Sequence, residues 1–438
     1  MYRILLEELK KWKDKKNRFP LILQGARQTG KTWLLNEFGK TCFEDVLYIN
    51  FEGERNINEI FEKVSDTEKI VEYLGAMRGK KIIPGKTLII FDEIQEVPKA
   101  LTSLKYFSEN APDYHICCAG SLIGIGLHQG TSFPVGKVEF LHLGPMSFEE
   151  FLLANNESLL VDFVKKSGID ENLTFDEKLI DYLKKYIIIG GMPGIVNAWL
   201  KENDYNLVEK MQKEILDSYL LDFSKHALHN IVPRIRYLWE SIPSQLAKEN
   251  KKFIYGLIRK GARAREYEEA LLWLSDAGLI RKINCIKKAV IPLSSYMDIR
   301  AFKLYHLDIG LLKAMAGISP SIIIKNDNIF EEFKGSLAEQ FVLQELSCKQ
   351  FVSGIYYWKS RAEAEVDFVI TDGECVIPIE VKSGKSIQAK SLKVFMNEEK
   401  INKAIRFSLK GLKLNDNIIN IPLYLIFNLE NYIKEIKK

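Results

Sequence analysis

The chain has 438 residues, of which 47% are hydrophobic and 27% are charged, and its formal net charge is +4. This composition is that of an ordinary soluble protein with sizeable cores, and so mild a charge gives no argument for nucleic acid by itself. No stretch reaches the ~18 apolar residues of a membrane span, so we expect a cytoplasmic protein without a membrane partner. The six cysteines contain no CxxC pair, so we expect neither a zinc site nor a disulfide framework.

A glycine-rich loop between a predicted strand and a predicted helix is the first motif. Residues 21–38, LILQGARQTGKTWLLNEF, contain a complete G-x-x-x-x-G-K-[ST] pattern. In such a loop the backbone N–H groups and the helix N-terminus bind the phosphates of ATP. Lys31 would reach the β- and γ-phosphates, and Thr32 would hold Mg²⁺. The predicted nucleotide-binding residues of the loop are Gly25, Ala26, Arg27, Gln28, Thr29, Gly30, Lys31 and Thr32.

Two further predicted strands end in polar side chains. The apolar run at residues 88–91 leads into Asp92 and Glu93, and the strand YHICCAGS ends in Ser121. The carboxyl ends of strands in open α/β sheets are where ligands bind. We therefore expect Asp92 to organise Mg²⁺ and Glu93 to orient or deprotonate the attacking water. Ser121 either senses the γ-phosphate or only caps a helix.

The next segment predicts a run of helices. Ser147 and Glu150 have the spacing of a capping box, which marks the start of a helix. Gly190 and Gly191, in the sequence GGMPG, predict a break between two helices. This segment offers no catalytic residue, so we expect packed helices.

Residues 229–320 alternate helix signals with glycine-rich turns and end in two predicted strands, LIRKINCI and FKLYHLDIGLL. This is the layout of a winged helix. Its basic side chains could give salt-sensitive affinity for a DNA backbone, and they are Lys251, Lys252, Arg259, Lys260, Arg263 and Arg265. However, Glu266, Glu268 and Glu269 would repel phosphate, and many winged helices only pack against other domains. Both alternatives stay open.

A charged β-hairpin is predicted near the C-terminus, in the sequence EVDFVITDGECVIPIEVKSG. Asp372 and Gly373 favour a tight type I′ turn, which places Asp367 opposite Pro378. Because side chains alternate across a strand, one face gathers three carboxylates and a lysine, namely Glu365, Asp367, Glu380 and Lys382. That face is either a solvated surface or a metal-dependent phosphodiesterase site.

Together these motifs resemble the prokaryotic P-loop ATPases of the AAA+ type that carry a C-terminal domain of the PD-(D/E)XK nuclease superfamily. The resemblance is carried by LQGARQTGKTWLLNEF, IIFDEIQEVP, GSLIGI, LGPMSFEEFL, GGMPGIV and the hairpin. It implies ATP binding and an α/β multidomain fold. The implied domains are a P-loop NTPase parallel sheet (1–146), a helical lid (147–228), a winged-helix domain (229–320) and a restriction-endonuclease-like α/β domain (321–438).

The resemblance also implies a role for the hairpin. In this superfamily carboxylates hold a divalent metal beside a lysine that serves the attacking water. Asp367 and Glu380 would hold Mg²⁺, and Lys382 would orient water or stabilise the developing charge. Glu339 on an upstream helix would be a further metal ligand. Alternatively, Ser336 and Glu339 form a capping box.

One segment departs from the family pattern. Relatives usually carry a Gly-Arg pair before PMSFEEF, whereas this chain has Gly136 and Lys137. Lysine keeps the positive charge but loses the bidentate fork of arginine. Either catalysis is weaker, or another arginine takes this role, such as Arg27, Arg55 or one from a neighbouring copy in a homo-oligomer.

Two functions remain open on the sequence alone. The first is an ATP-hydrolysing, DNA-processing enzyme in which the nucleotide state gates access of DNA to Asp367, Glu380 and Lys382. The second is an ATP-dependent molecular switch, or a regulatory scaffold with residual nucleotide binding, that binds DNA or a protein partner without cutting it.

Overall fold

The computed structural model describes residues 1–53, 55–63, 66–120, 133–169, 175–248, 251–325, 335–360, 364–382 and 390–437. The backbone forms two units, one of residues 1–144 with 276–278 and one of residues 145–275 with 279–438. In the described ranges, no helix is both long and apolar enough to cross a membrane.

The first unit is built on a five-stranded parallel sheet. Its strands are β1 Leu21–Gln24, β2 Asp45–Asn50, β3 Thr87–Asp92, β4 His115–Gly120 and β5 Glu139–His142. They run in the order β2-β3-β4-β1-β5. The helices of this unit are α1 Leu5–Lys13, α2 Lys31–Cys42, α3 Arg55–Lys63, α4 Thr67–Arg78 and α5 Pro98–Asn110, and a 3₁₀ turn spans Ile94–Glu96.

Hydrophobic clusters cover both faces of this sheet. One cluster contains Leu9 of α1 and Phe38 of α2, and the other contains Ile70 of α4 and Leu104 of α5. The central strands β1, β3 and β4 are buried along their whole length, as expected for parallel strands packed between helices. The predicted parallel sheet is confirmed, and β1 and β3 end at the same edge on either side of β4.

The second unit begins with helices. Its helices are α6 Phe148–Ala154, α7 Ser158–Lys166, α8 Asp176–Ile189, α9 Pro193–Glu202, α10 Tyr205–His226, α11 Val232–Leu246, α12 Ala264–Asp276, α13 Ile309–Met315, α14 Pro320–Lys325, α15 Ser336–Leu346, α16 Lys390–Glu399 and α17 Leu429–Lys437. Short 3₁₀ turns span Tyr255–Leu257, Leu293–Tyr296 and Leu423–Asn428. The predicted capping box is confirmed, because Ser147 and Glu150 exchange side-chain-to-backbone hydrogen bonds at the start of α6.

The predicted break at Gly190 is also confirmed. Gly190 ends α8 with a φ of +79°, a backbone conformation that favours glycine. A Cβ atom built on Gly190 would lie 2.3 Å from Asp308 Oδ1. The glycine therefore lets the chain turn while it stays against a buried carboxylate.

An eight-stranded mixed sheet forms the rest of this unit. Its strands are β6 Ile280–Ile286, β7 Met297–His306, β8 Ile355–Lys359, β9 Glu365–Thr371, β10 Val376–Val381, β11 Ala404–Ser408, β12 Lys413–Asn415 and β13 Ile418–Pro422. They run in the order β12-β13-β11-β10-β9-β8-β6-β7. Strand β6 pairs in parallel with β8, so the strands predicted for the wing lie in the same sheet as those predicted for the C-terminal domain.

Two local predictions in this unit were wrong. The run FKLYHLDIGLL is not one strand, because β7 ends at His306 and α13 begins two residues after Leu307. Asp308 stops the strand, since its Oδ1 accepts a 3.0 Å hydrogen bond from Leu311 N and so caps the helix. The run FIYGLI, which has the signals of one of the three helices of a winged helix, contains only a short 3₁₀ turn at Tyr255–Leu257.

The register of the hairpin also differs from the prediction. Thr371 pairs with Val376 and Pro378 pairs with Val369, not with Asp367. The connection has four residues instead of two, because Asp372 Oδ1 accepts hydrogen bonds from the backbone N–H groups of the residues at 374 and 375. A shift of two residues keeps the same side chains on each face.

Candidate functional site

Two glycines shape the P-loop between β1 and α2. A Cβ atom on Gly25 would lie 2.2 Å from the carbonyl oxygen of Leu143, so only glycine fits there. Gly30 has a φ of +90° and directly precedes α2, and glycine adopts this conformation without strain. The loop therefore turns tightly into the N-terminus of α2, where backbone N–H groups can receive phosphate oxygens.

Lys31 lies across the loop. Its side chain is only 8% exposed, and Nζ donates hydrogen bonds to Gly25 O at 2.9 Å and Ala26 O at 3.0 Å. Burial lowers the pKa of Lys31, while the nearby carboxylates Glu93 and Asp92 oppose that change. The ammonium is thus held at the loop beside two acidic side chains.

Thr32 and Asp92 meet beside the loop. Thr32 Oγ1 donates a 2.8 Å hydrogen bond to Asp92 Oδ2, and the hydroxyl of Tyr48 on β2 donates to the same oxygen at 2.7 Å. Asp92 is buried at the end of β3. Hydroxyl and carboxylate oxygens are the ligands that Mg²⁺ accepts in nucleotide sites. This pair therefore fits a magnesium ion.

Glu93 follows in a left-handed conformation with a φ of +50°. Such strain in a residue other than glycine is concentrated at functional sites. The backbone N–H of Glu93 donates to Asp92 Oδ1 at 3.1 Å, and Gln95 Nε2 donates to the Glu93 carboxylate. The strained turn and Gln95 fix this carboxylate next to the Thr32–Asp92 pair.

The other residues predicted for the nucleotide site differ in their placement. Thr29 is fully buried, and its Oγ1 donates to Ala26 O at 2.9 Å. Arg27 is half-buried, whereas Gln28 is exposed and has a φ of +65°. Ser121 lies outside the described residues. The structure therefore brings Lys31, Thr32, Asp92 and Glu93 together and leaves Ser121 without a placement.

Lys137 has an acidic partner. Its Nζ lies 3.0 Å from Glu109 Oε1 on α5, and both side chains are 36% exposed. An ion pair at this exposure is weak. Lys137 is therefore engaged with a surface carboxylate.

Arg3 is a contributor to the P-loop that the sequence reasoning missed. It is 4% exposed, and its Nη1 and Nη2 each donate a 2.8 Å hydrogen bond, to Thr29 O and Gly144 O. No sequence motif contains Arg3, and its position just before an amphipathic helix gave no sign that the side chain is buried.

A second cluster of charged groups lies in the other unit, around Glu339 on α15. Glu339 is 6% exposed, and Tyr305 donates its hydroxyl to Oε2 at 2.7 Å. Lys251 Nζ contacts Oε1, and Lys303 Nζ lies 3.8 Å from Oε2. Burial alone would raise the pKa of Glu339, but Lys251 and Lys303 lower it to about 2. Glu339 is therefore a buried carboxylate held ionised by two lysines.

Lys303 bridges Glu339 to the hairpin. Its side chain is fully buried on β7, and Nζ lies 2.5 Å from Glu365 Oε1. Burial lowers the pKa of Lys303, but Glu339, Glu365 and Asp367 together raise it above its ordinary value. The lysine thus stays charged among carboxylates.

The predicted hairpin residues lie next to this cluster. Asp367 Oδ2 accepts a 2.8 Å hydrogen bond from Val381 N, and burial together with Glu339 raises the pKa of Asp367 to about 7. Glu380 is 3% exposed, and Lys382 Nζ lies 2.9 Å from its Oε1. Glu380 and Lys382 therefore lie on the same face of the hairpin, as their two-residue spacing predicts.

This arrangement does not fit a bound metal. Across the described ranges, no three His, Cys, Asp or Glu side chains are grouped so as to hold a metal ion. Instead the ammonium groups of Lys251 and Lys303 lie against Glu339. The charge that a divalent cation would supply at Glu339 is supplied here by lysines.

Two predictions for these residues were wrong. Glu339 forms no capping box, because Gly335 precedes α15 and Ser336 Oγ donates to Leu246 O instead. Lys251 is 5% exposed and paired with Glu339, so it cannot contact a DNA backbone in this arrangement. Lys303 and Tyr305 were missed, because an alternating strand pattern does not show that a lysine faces inward.

Comparison with known families divides the chain into three segments. Residues 17–152 match the family described as "AAA domain". Residues 180–322 match "Domain of unknown function (DUF8612)", and residues 334–426 match "Domain of unknown function (DUF4143)".

Similar proteins extend over most of the chain. Uncharacterized protein MJ1544 of Methanocaldococcus jannaschii is 27% identical, covering 92% of this chain and 81% of that protein. Uncharacterized protein Rv2008c of Mycobacterium tuberculosis is 24% identical over 81% of this chain and 68% of that protein. Among solved structures, the Walker-type ATPase PABY2304 of Pyrococcus abyssi is 15% identical with a TM-score of 0.46, covering 70% and 94% of the two chains. The AAA match and the site geometry agree, and residues 17–152 are an AAA-type ATPase domain.

Proposed function

We propose that this protein is an ATP-dependent molecular switch that binds a partner through its second unit without cutting it. A contrast between two sites carries this proposal. Hydroxyl and carboxylate oxygens meet at Thr32 and Asp92, whereas lysines lie against the carboxylate of Glu339. The first site is arranged for MgATP, and the second is not arranged for a catalytic metal.

Each residue of the first site has its own role in ATP hydrolysis. The loop N–H groups and Lys31 would bind the phosphates, and Thr32 with Asp92 would hold the ion. Mg²⁺ supplies positive charge that offsets the charge developing on the transferred phosphoryl group. Glu93 orients the attacking water, and its hydrogen bond with Gln95 keeps the carboxylate in place.

A second copy of the chain would complete this site. Arginine stabilises a phosphoryl group in flight through a fork of donors that lysine lacks. Lys137 stands where relatives carry an arginine, and it is paired with Glu109. We therefore propose that an arginine from a neighbouring copy approaches the nucleotide in a homo-oligomer.

Exposed basic side chains favour DNA as the partner. Five of the six basic residues predicted to contact DNA are exposed, namely Lys252, Arg259, Lys260, Arg263 and Arg265. Such side chains bind phosphates without regard to sequence and lose affinity as salt is raised. Helix α12, which carries Arg265, also exposes Glu266, Glu268 and Glu269, and their negative charge limits the expected affinity for DNA.

Purified protein can be tested for ATP hydrolysis and for action on plasmid DNA with Mg²⁺ or Mn²⁺. Wild type should hydrolyse ATP, Lys31→Ala should not, and Lys40→Ala, an exposed lysine on the same helix, should match wild type. Wild type should bind plasmid DNA at low salt, dissociate from it as the salt concentration is raised, and leave it uncut. Cleavage that disappears in Lys382→Ala would instead establish the DNA-processing enzyme, and a wild type that hydrolyses ATP but does not bind DNA at low salt would point to a protein partner.

A further inference from the structure

A cavity opens in the second unit at the turn end of the hairpin of β9 and β10. Its volume is about 610 Å³, and its walls are residues 289–291 after β6, residues 374–377 at the start of β10, residues 399–403 at and after the end of α16, and two side chains of α17, Ile433 and Lys437. Sites for small ligands have volumes of roughly 300–1,000 Å³. Glu380 and Lys382 lie at the other end of β10 and do not line this cavity, so it is distinct from the charged cluster around Glu339.

Apolar side chains form much of the cavity wall. Val376 and Ile401 pack against the hydrophobic cluster that contains Ala289. Val290 and Ile291, which also line the cavity, are 48% and 41% exposed. Apolar side chains left in water at a concave surface favour the binding of an apolar group, because contact with it removes them from water. The cavity therefore fits a ligand with an apolar body.

The two carboxylates of the wall already have partners. Glu374 Oε2 lies 3.1 Å from Lys437 Nζ on α17, and Lys437 also contacts Asp372 in the hairpin turn. Glu399 Oε2 accepts a 2.8 Å hydrogen bond from Ala289 N. A ligand that enters the cavity therefore meets these carboxylates already paired or hydrogen-bonded.

Two lysines of the wall have no such partner. Lys400 and Lys403 are exposed, and neither forms an ion pair with a carboxylate of the described residues. Lys400 has a φ of +56°, and the N–H of Ile401 donates a 3.0 Å hydrogen bond to Met396 O, which is a helix ending that glycine usually makes. A lysine in this conformation is strained, and such strain is concentrated at functional sites. The cavity therefore carries two cations that are available to an acidic ligand.

We propose that this cavity binds a small amphipathic anion, a molecule with an apolar body and one acidic group. The apolar body would lie against Val290 and Ile291, and the acidic group would accept charge-assisted hydrogen bonds from Lys400 and Lys403. Neither the P-loop nor the cluster around Glu339 takes part, so this inference goes beyond the proposed function and does not depend on it. Cys375 lines the same cavity and is exposed, so the reactivity of its thiol reports whether the cavity is occupied.

The test is a fluorescence titration of the full chain with anilinonaphthalene sulfonate, an apolar ring system that carries one acidic group. Lys400→Glu with Lys403→Glu should weaken binding about tenfold or more, because repulsion replaces attraction at the sulfonate. Lys390→Glu with Lys393→Glu makes the same change of charge on exposed lysines of α16 outside the cavity, and it should bind the probe as wild type does. Phenylnaphthylamine has the same rings without the sulfonate, so its affinity should not differ between the two double variants.

A second readout locates the bound probe. Alkylation of Cys375 by iodoacetamide, followed by mass spectrometry, should be slowed severalfold when anilinonaphthalene sulfonate saturates the wild type. Alkylation of Cys348, which is also exposed and does not line the cavity, should not change.

Equal affinity of the two double variants for the sulfonate would overturn the proposal. So would alkylation of Cys375 that the probe does not slow, since the probe would then lie elsewhere on the chain. An equal loss of affinity for phenylnaphthylamine would also overturn it, because the lysines would then act through the fold rather than through their charge. If the variant with two glutamates does not fold, Lys400→Gly with Lys403→Ala carries the same test, because glycine relieves the strained φ and both charges are removed.

Discussion

Arg3 Nη1 donates a 2.8 Å hydrogen bond to the carbonyl oxygen of Thr29, inside the P-loop. In a trans peptide the C=O and the next N–H point in opposite directions. By binding this carbonyl, Arg3 fixes the orientation of the peptide group that carries the N–H of Gly30. Its other nitrogen binds Gly144 O, so one side chain ties the loop to the segment after β5.

Arg3→Ala should therefore weaken ATP binding more than turnover. Two hydrogen bonds to a charged donor are lost, so we expect the KM for ATP to rise about tenfold with a smaller change in kcat. Lys11→Ala, 73% exposed on α1, is the matched control. Steady-state kinetics measure both constants, and a fall in kcat at an unchanged KM would contradict this role. Arg3→Lys should recover part of the KM, since lysine keeps the charge but not the fork.

Gly25→Ala should disrupt the loop itself. The new Cβ would lie 2.2 Å from Leu143 O, and relieving such an overlap costs on the order of 1–3 kcal/mol. We expect ATP affinity, measured by nucleotide titration, to fall. Gly53→Ala is the control, because nothing lies within 4 Å of its Cβ position. Equal ATP affinity of the two variants would show that the close approach to Leu143 is not required.

The local part of the P-loop could be predicted from sequence, and the distant part could not. The motif from Gly25 to Thr32 and the Ser147–Glu150 capping box depend on contacts within a few residues, so their spacing is enough. Arg3 and Lys251 have partners 26 and 88 residues away. Only the folded chain shows that these two basic residues face inward.

The hairpin of β9 and β10 shows the same limit of prediction from sequence. The faces of β9 and β10 follow from alternation, which sequence reveals. The register depends on whether Asp372 bonds to the backbone beyond it, and that choice made the turn two residues longer. The parallel pairing of β6 with β8 joins segments about seventy residues apart, which local patterns do not encode.

Lys303→Met should destabilise the second unit. Glu365 would lose the ammonium that lies 2.5 Å from its carboxylate, and Glu339 would lose one of its two lysines. Removing one partner of a buried ion pair lowers the free energy of unfolding by about 3 kcal/mol or more. Urea unfolding followed by tryptophan fluorescence measures this loss. Lys287→Met, 69% exposed and 3.9 Å from Asp298, should stay within about 0.5 kcal/mol of wild type. If Lys303→Met is no less stable than that control, the lysine does not hold the cluster together.

Adding Glu365→Gln to Lys303→Met should restore part of the stability, because one of the stranded charges is removed. A double variant less stable than Lys303→Met would speak against the ion pair as the cause.

Glu345 should make stability depend on pH. It is fully buried on α15, its Oε1 accepts a 2.7 Å hydrogen bond from Phe148 N, and burial raises its pKa from 4.5 to about 7 against the pull of Lys349. Because the folded pKa is the higher one, the folded state keeps a proton that the unfolded chain releases. Stability from this group is present below pH 4.5 and is lost as pH rises to about 7.

Glu345→Gln has no such proton to lose and keeps an oxygen for Phe148 N. Its stability relative to wild type should therefore increase between pH 4.5 and pH 7, by up to roughly 3 kcal/mol. Denaturant unfolding of both proteins across this range measures the difference. A difference that does not change with pH would contradict the raised pKa.

The central claim, that Lys31, Thr32, Asp92 and Glu93 form an ATP-hydrolysing site, is tested most directly by single-turnover hydrolysis in Glu93→Gln. ATP binding should persist in this variant, because the P-loop is intact, while hydrolysis should fall about 100-fold or more through loss of the carboxylate that serves the water. Lys31→Ala should lose binding as well. Hydrolysis at the wild-type rate in Glu93→Gln would contradict the account.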